Sequence, residues 1–197
     1  MYQNLLIGTL LACLLIAGIV IAVKKPSSGS ERIPRSNAQT GSDTMVVSDS
    51  AQTFSMELPK IWEVTHQKVM GGPQISNTNA KSPDYKARVE QPVESPSSLI
   101  YYETGANLYV YVSTGKIELP YHHPSTKIIE TKSVVVDSIE GEYHSFVDLS
   151  IEQGISLDTH VNYQGKNYGF SFVYNPATYP QGEKTFMEIL KSVKFLQ

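Results

Sequence analysis

The sequence predicts an α+β protein: an antiparallel sheet with a C-terminal helix packed on it, preceded by one transmembrane helix. Three observations carry this expectation. Residues 5–23 form a run of 19 positions without a charge, in which Thr9 is the one polar side chain. From Met45 onward, apolar and polar residues alternate in short runs broken by Gly, Pro and Asn, which is the period of strands. Near the end the period changes. Phe186, Ile189, Leu190 and Val193 stand at i, i+3, i+4 and i+7, so residues 182–193 are expected to form an amphipathic helix.

The apolar run comes first. At about 1.5 Å per residue it reaches roughly 28 Å, close to the hydrocarbon thickness of a bilayer. A secretory signal has a basic start, a shorter core and an A-x-A-like exit. Residues 1–4 carry no Lys or Arg, the core is long, and no A-x-A precedes Lys24. Cys13 follows Leu-Leu-Ala, a faint lipoprotein box, but apolar and small residues continue beyond it. An uncleaved single-pass anchor is therefore expected over a cleaved signal or a lipoprotein. Orientation is contested. Lys24, Lys25, Arg32 and Arg35 all follow the run, which the positive-inside rule reads as cytoplasmic. A lone N-terminal apolar segment is nevertheless the ordinary route of export.

Residues 24–44 follow as a flexible linker. They are rich in Ser, Pro and Gly, and Ile33 is the one large apolar side chain from Pro26 to Thr44. Such a stretch cannot offset its ordering entropy by burial. As a coil it would hold a domain on the order of 25 Å from its attachment.

Residues 45–197 are expected to be the globular domain, and its roughly 150 residues suffice for one core. Phe54, Met56 and Leu58 alternate with polar residues until Pro59 breaks the strand before Trp62. Residues 98–103 and 108–112 flank Thr-Gly-Ala-Asn and read as a hairpin. Val134 begins a strand running through Tyr143 and Phe146 toward Leu149. Residues 155–163 and 168–174 alternate on both sides of Gln-Gly-Lys-Asn, the clearest hairpin in the chain. Residues 69–96, rich in Gly, Pro, Ser and Asn, read mostly as loop.

Composition narrows the function. The chain is 41% apolar and 18% charged, too hydrophobic for a disordered protein. From Gln52 onward there are 12 Lys/Arg against 16 Asp/Glu, a net −4, so there is no basic excess to neutralise phosphates, which argues against a general nucleic-acid binder. The usual catalytic sets are missing. Met70-Gly-Gly-Pro73 lacks the Lys-Ser/Thr of a phosphate loop, no G-x-S-x-G elbow occurs, and Cys13 is the only Cys. Glu63 and His66 have Glu-x-x-His spacing but a β-branched middle and no neighbouring His. His122 and His123 are consecutive and flanked by Tyr121 and Pro124, a loop rather than a metal site. No cofactor and no metal are expected.

One constellation remains. Folding the chain about Glu152 places His144 opposite His160, Phe146 opposite Asp158 and Glu142 opposite Asn162. Folding it again between Gly165 and Lys166 sets His160 against Ser171 and Asn162 against Gly169. Alternation then sorts Val147, Leu149, Leu157, Val161, Tyr163, Phe170, Phe172 and Tyr174 onto an apolar face for the helix. Glu142, His144, Asp158, His160, Asn162 and Ser171 fall on the other face with Asp148, Phe146 and Val173. That face reads either as a solvated sheet surface or as a binding face, where Gly169 and Ser171 leave room for another molecule. Tyr101, Tyr102, Tyr109 and Tyr111 cannot make one sugar platform, because Tyr101 and Tyr102 point to opposite faces.

The motif Phe54-Ser-Met-Glu-Leu-Pro-Lys-Ile-Trp62 resembles the F-s-x-x-x-P-x-x-W opening of PsbP-like domains. Tyr163-Gln-Gly-Lys-Asn-Tyr168, followed by Phe186-Met-Glu-Ile-Leu-Lys-Ser-Val-Lys-Phe195, is similar to that family's closing hairpin and helix. The resemblance implies an α/β/α sandwich around an antiparallel sheet and a bacterial membrane-anchored member. The chain departs from the family between Gly115 and Ile128, where Tyr121-His-His-Pro124 leaves little room for a helix. Plant relatives are extrinsic subunits of photosystem II and others bind protein partners, so the resemblance implies a protein partner, an extracytoplasmic setting and no catalytic residue. The expectation is a single-pass protein of the cell membrane, attached through residues 5–23. Its domain would be a non-catalytic interaction or accessory module with a protein partner near the membrane. The alternative is an envelope protein binding a small ligand or a glycan.

Overall fold

The computed structural model describes residues 43–68, 72–90, 99–115, 126–148 and 151–196. In chain order the strands are β1 (Thr44–Ser48), β2 (Phe54–Pro59), β3 (Glu63–Lys68), β4 (Gln74–Lys81), β5 (Lys86–Glu90), β6 (Leu99–Thr104) and β7 (Ala106–Ser113). They continue with β8 (Thr126–Val136), β9 (Ile139–Asp148), β10 (Ile151–Glu152), β11 (Ile155–Tyr163) and β12 (Lys166–Tyr174). Helix α1 (Gly182–Ser192) and the short β13 (Lys194–Phe195) follow. A seven-stranded sheet of order β3-β4-β7-β12-β11-β9-β8 dominates, with the smaller sheets β1-β2-β13 and β10-β6-β5 beside it.

Alternation builds the core on one face of the large sheet. Leu108, Val110 and Val112 of β7, Phe170 and Phe172 of β12, and Leu157 and Val161 of β11 are all buried there. Against them lie α1 and the β1-β2-β13 sheet. The Phe186 ring stacks on Phe172 at 5.4 Å, Phe54 meets Phe170 edge-on at 6.0 Å, and Phe195 meets Tyr168 at 4.6 Å. Each fully buried ring of this kind contributes about 1.5–3 kcal/mol. The helix expected over 182–193 is α1. It buries Phe186, Ile189 and Leu190, and Gly182 lets it sit against the Tyr174 ring, which any Cβ at that position would strike.

Turn chemistry sets the register of the large sheet. Gln164 (φ 50°) and Gly165 (φ 75°) join β11 to β12, and Asp137 (φ 46°) and Ser138 (φ 69°) join β8 to β9. Both are two-residue loops with positive φ at each position, the turn whose twist matches paired strands. Asp137 also accepts the Phe195 N–H at 2.8 Å and the Lys194 Nζ at 2.9 Å, so this turn is tied to β13.

Several expectations are corrected. The α/β/α sandwich is not formed: α1 is the one helix among the described residues, it covers one face only, and the molecule is mostly antiparallel sheet. The transmembrane helix, and with it the single-pass membrane placement and the extracytoplasmic domain, is not supported. No helix among the described residues is long and apolar enough to cross a membrane. At about 1.5 Å per residue α1 spans roughly 16 Å, half of what a bilayer core requires. The anchor at 5–23 and nearly all of the linker at 24–44 lie outside the described residues. The single strand from Val134 toward Leu149 is instead the hairpin β8–β9. Residues 69–96 hold β4 and β5, not mostly loop. The hairpin joining 98–103 to 108–112 does not exist, because β6 and β7 belong to different sheets and Gly105 (φ 73°) turns the chain between them.

Candidate functional site

The face of the large sheet opposite the core carries two polar rows that run across the strands. Cross-strand register aligns Thr131, His144, Asp158, Ser171, Tyr109 and Asn79 in one row. The next row aligns Ser133, Glu142, His160, Gly169, Tyr111 and Asn77. All six expected residues, Glu142, His144, Asp158, His160, Asn162 and Ser171, share this face. Their partners differ from expectation by two positions. His144 is opposite Asp158 rather than His160, Glu142 is opposite His160, and Asn162 is opposite Asn167, whose Oδ1 accepts its Nδ2–H at 2.9 Å. A two-residue slip keeps every side chain on its face, which is why the face was legible while the pairings were not.

The face is not a uniform solvated surface. Glu142 and Asn162 are exposed, His160 and Ser171 are half-buried, but His144 is only 4% exposed and Asp158 only 1%. His144 Nδ1 lies 3.0 Å from Thr131 Oγ1, and its Nε2 is 3.3 Å from Glu142 Oε2. His160 Nδ1 lies 3.4 Å from Tyr111 Oη. Among the described residues neither carboxyl oxygen of Asp158 meets a hydrogen-bond partner. Burial pushes its pKa up to about 7, and the Ser171 hydroxyl facing it pulls in the opposite direction. His160 is pushed down to about 4, by burial first and then by the neighbouring His144, with Glu142 opposing. At neutral pH the imidazole of His160 is therefore uncharged.

Two further residues belong to the site. Tyr109 and Tyr111 lie on the same face with rings 5.9 Å apart, and the Tyr111 ring is 6.1 Å from that of His160. Their place follows from the pairing of β7 with β12, which a hairpin between β6 and β7 does not reveal. Contrary to the expectation from its size, Gly169 leaves no open space for another molecule. Tyr111 lies across it, and a Cβ there would strike the ring. Tyr101 and Tyr102 sit on β6, in another sheet. Thr131 was missed because the turn at Asp137 was missed.

No cluster of three or more His, Cys, Asp or Glu able to hold a metal occurs among the described residues. Glu63 and His66 lie on β3, where residues three apart point to opposite faces and cannot meet one ion. His122 and His123 lie outside the described residues. What the arrangement offers is recognition: a buried carboxyl acceptor, an uncharged imidazole and two phenol rings tilted against each other, around a rim of Glu142 and Asn162.

No family profile matches the chain, and no curated protein matches it. Solved structures do. The solution structure of cyanobacterial PsbP from Synechocystis overlaps 81% of this chain and 96% of its own, with TM-score 0.48 at 10% identity. A Bacteroides thetaiotaomicron protein overlaps 79% of this chain but only 48% of its own length, with TM-score 0.40 at 10% identity. A Pseudomonas aeruginosa protein of unknown function, PA94, overlaps 78% and 98%, with TM-score 0.40 at 8% identity. At these values none carries an argument about family, ligand or partner.

Proposed function

We propose that this domain is a non-catalytic binding module that takes its occupant at the polar face of the large sheet. The buried carboxyl of Asp158, which has only the Ser171 hydroxyl beside it among the described residues, carries the reading. An ionisable group withdrawn from water without hydrogen bonds costs several kcal/mol, and such groups concentrate at functional sites. Of the two forms the expectation took, an interaction module for a protein partner or a binder of a small molecule, the geometry favours the second. The middle of the face is buried, so a broad protein surface has little to touch there. A small polar molecule bearing N–H or O–H donors would satisfy the Asp158 oxygens, and Tyr109 and Tyr111 would lie along its flatter side.

The test is a thermal-shift screen of the full chain against polyols, oligosaccharides, primary amines and polyamines, run in parallel on Asp158→Asn. A true occupant at 100 times its Kd should stabilise the protein by about 2.7 kcal/mol. That gain should shrink at least fivefold in the variant. A flat screen, or equal stabilisation of both proteins, would refute the reading.

A further inference from the structure

The large sheet has two unlike edges. At one end β3 shows the solvent Glu63, Thr65, His66 and Gln67, the polar finish that keeps an edge from pairing. At the other end β8, eleven residues long, is paired only with β9 among the described residues. It exposes Ile128 (48%), Ile129 (56%) and Val135 (65%), half of the exposed large apolar side chains among the described residues. Rows of free N–H and C=O groups flanked by apolar side chains are a template for another strand.

We propose that β8 pairs with β8 of a second copy of this chain, antiparallel and about a two-fold axis at Thr131. The charges on the strand select this register. Residues directly opposite in an antiparallel pair share a face, so a symmetric register must be centred on a residue. Centring on Glu130 sets carboxylate against carboxylate, and centring on Lys132 sets ammonium against ammonium. Centring on Ser133 leaves both charges facing valines, and Ile129 sits in the bulge between Ile128 and Glu130. Centring on Thr131 places Glu130 opposite Lys132 of the second copy, twice over. Lys132 Nζ already lies 2.9 Å from Glu130 Oε2 within one chain, so the two pairs join into an alternating quartet. In the same register Ile129 falls opposite Ser133 and Ile128 opposite Val134, next to Val135, of the second copy, which covers part of the exposed apolar side chains. The bulge and the lysines prevent open-ended stacking, and the two-fold closes after one step because the β3 edge is polar.

Site-specific crosslinking tests the register on the full chain, with Cys13→Ser removing the native thiol. Facing residues lie about 4.5–5.5 Å apart between Cα atoms, within disulfide range. Thr131→Cys should therefore crosslink to itself under copper–phenanthroline. Two copies of Ser133→Cys would stand about 13 Å apart, out of range. The expected result is at least tenfold more disulfide dimer from position 131 than from 133. Both proteins carry the same remaining chain, so the ratio reads the register. Adding Glu130→Lys to the Thr131→Cys protein should cut the yield at least fivefold, with an unchanged circular-dichroism melt showing that the fold is intact. No dimer at 131, equal yields at both positions, or indifference to Glu130→Lys would each overturn the proposal.

Discussion

Asp49 and Asp158 are both buried aspartates, 3% and 1% exposed, and they are treated in opposite ways. Asp49 accepts from the Thr53 N–H at 2.6 Å, Thr53 Oγ1–H at 3.1 Å, Phe54 N–H at 3.2 Å and Ala51 N–H at 3.3 Å. Ser76 Oγ–H adds a fifth bond from β4 at 2.6 Å. Those donors come from the β1–β2 turn and the neighbouring sheet, so the carboxylate ties the two layers together. Asp158 has the same chemistry at greater burial and no such ring of donors among the described residues. The contrast separates a carboxylate that the fold uses from one that the fold merely tolerates.

The sharpest way to break that comparison is Asp49→Ala. It strips five hydrogen bonds and leaves buried N–H groups unsatisfied, and should cost roughly 3 kcal/mol or more in urea unfolding. A loss below about 1 kcal/mol would place Asp49 among surface features.

Asp158 should show itself through pH. Its folded pKa is raised to about 7, so between pH 4 and 7 the folded state holds a proton that the unfolded chain has lost. Stability therefore falls across that window, by an upper bound on the order of 4 kcal/mol. His160 acts in the opposite sense. Its folded pKa is lowered to about 4, so the unfolded chain binds the extra proton and stability rises from about pH 4 to 6.5. The two slopes nearly cancel in the native protein. Asp158→Asn should unmask a rise of roughly 2–3 kcal/mol over that range, and His160→Gln a fall of similar size. Parallel profiles for all three proteins would sink this account.

Two smaller changes sharpen the picture. Gly169→Ala forces a methyl into the Tyr111 ring and should cost about 1–3 kcal/mol. Pairing it with Tyr111→Ala should recover most of that loss in a double-mutant cycle, and simple additivity would show that the ring moves aside without cost. Asp137→Asn keeps a residue suited to positive φ while removing the charge facing Lys194. Because Lys194 is largely exposed, the expected loss is below about 1 kcal/mol in thermal or urea unfolding, and a larger one would make the turn a keystone of the fold.

The parts of the molecule legible in the sequence are those whose period is strong on both faces. Phe186 to Val193 and Phe54 to Leu58 announce their elements because large apolar residues recur at fixed spacing. β4 hid itself: its inward positions are Ser76, Thr78 and Ala80, small residues that read as loop. The β8–β9 turn hid because Asp137-Ser138 takes a conformation usually signalled by Gly. The candidate face was legible to the level of which side chains share it, because parity survives an error of two in loop length. That its centre is buried was not legible, since Asp158 and His144 look like solvent-facing residues and only long-range packing says otherwise. The exposed isoleucines of β8 gave no sequence signal, because an edge strand differs from a central one only in what lies beside it.

The seam where β13 adds to β2 has a consequence for biosynthesis. The Glu57 N–H is capped by Ser192 Oγ at 2.9 Å, 135 positions later in the chain, and Phe195 pairs with Phe54. The layer that covers the core is thus sealed by residues that are made long after β2. At about 5–20 residues per second, β2 waits roughly 7–27 s for its partner. During that interval the apolar faces of β2 and β7 stand uncovered on the nascent chain. The hairpin β11–β12, with its two-residue turn, closes locally as soon as it emerges and shortens the remaining search. A chain stopped after Val193, without β13, should therefore keep most strands in place and yet be captured by chaperones, because the lid of its core is never closed.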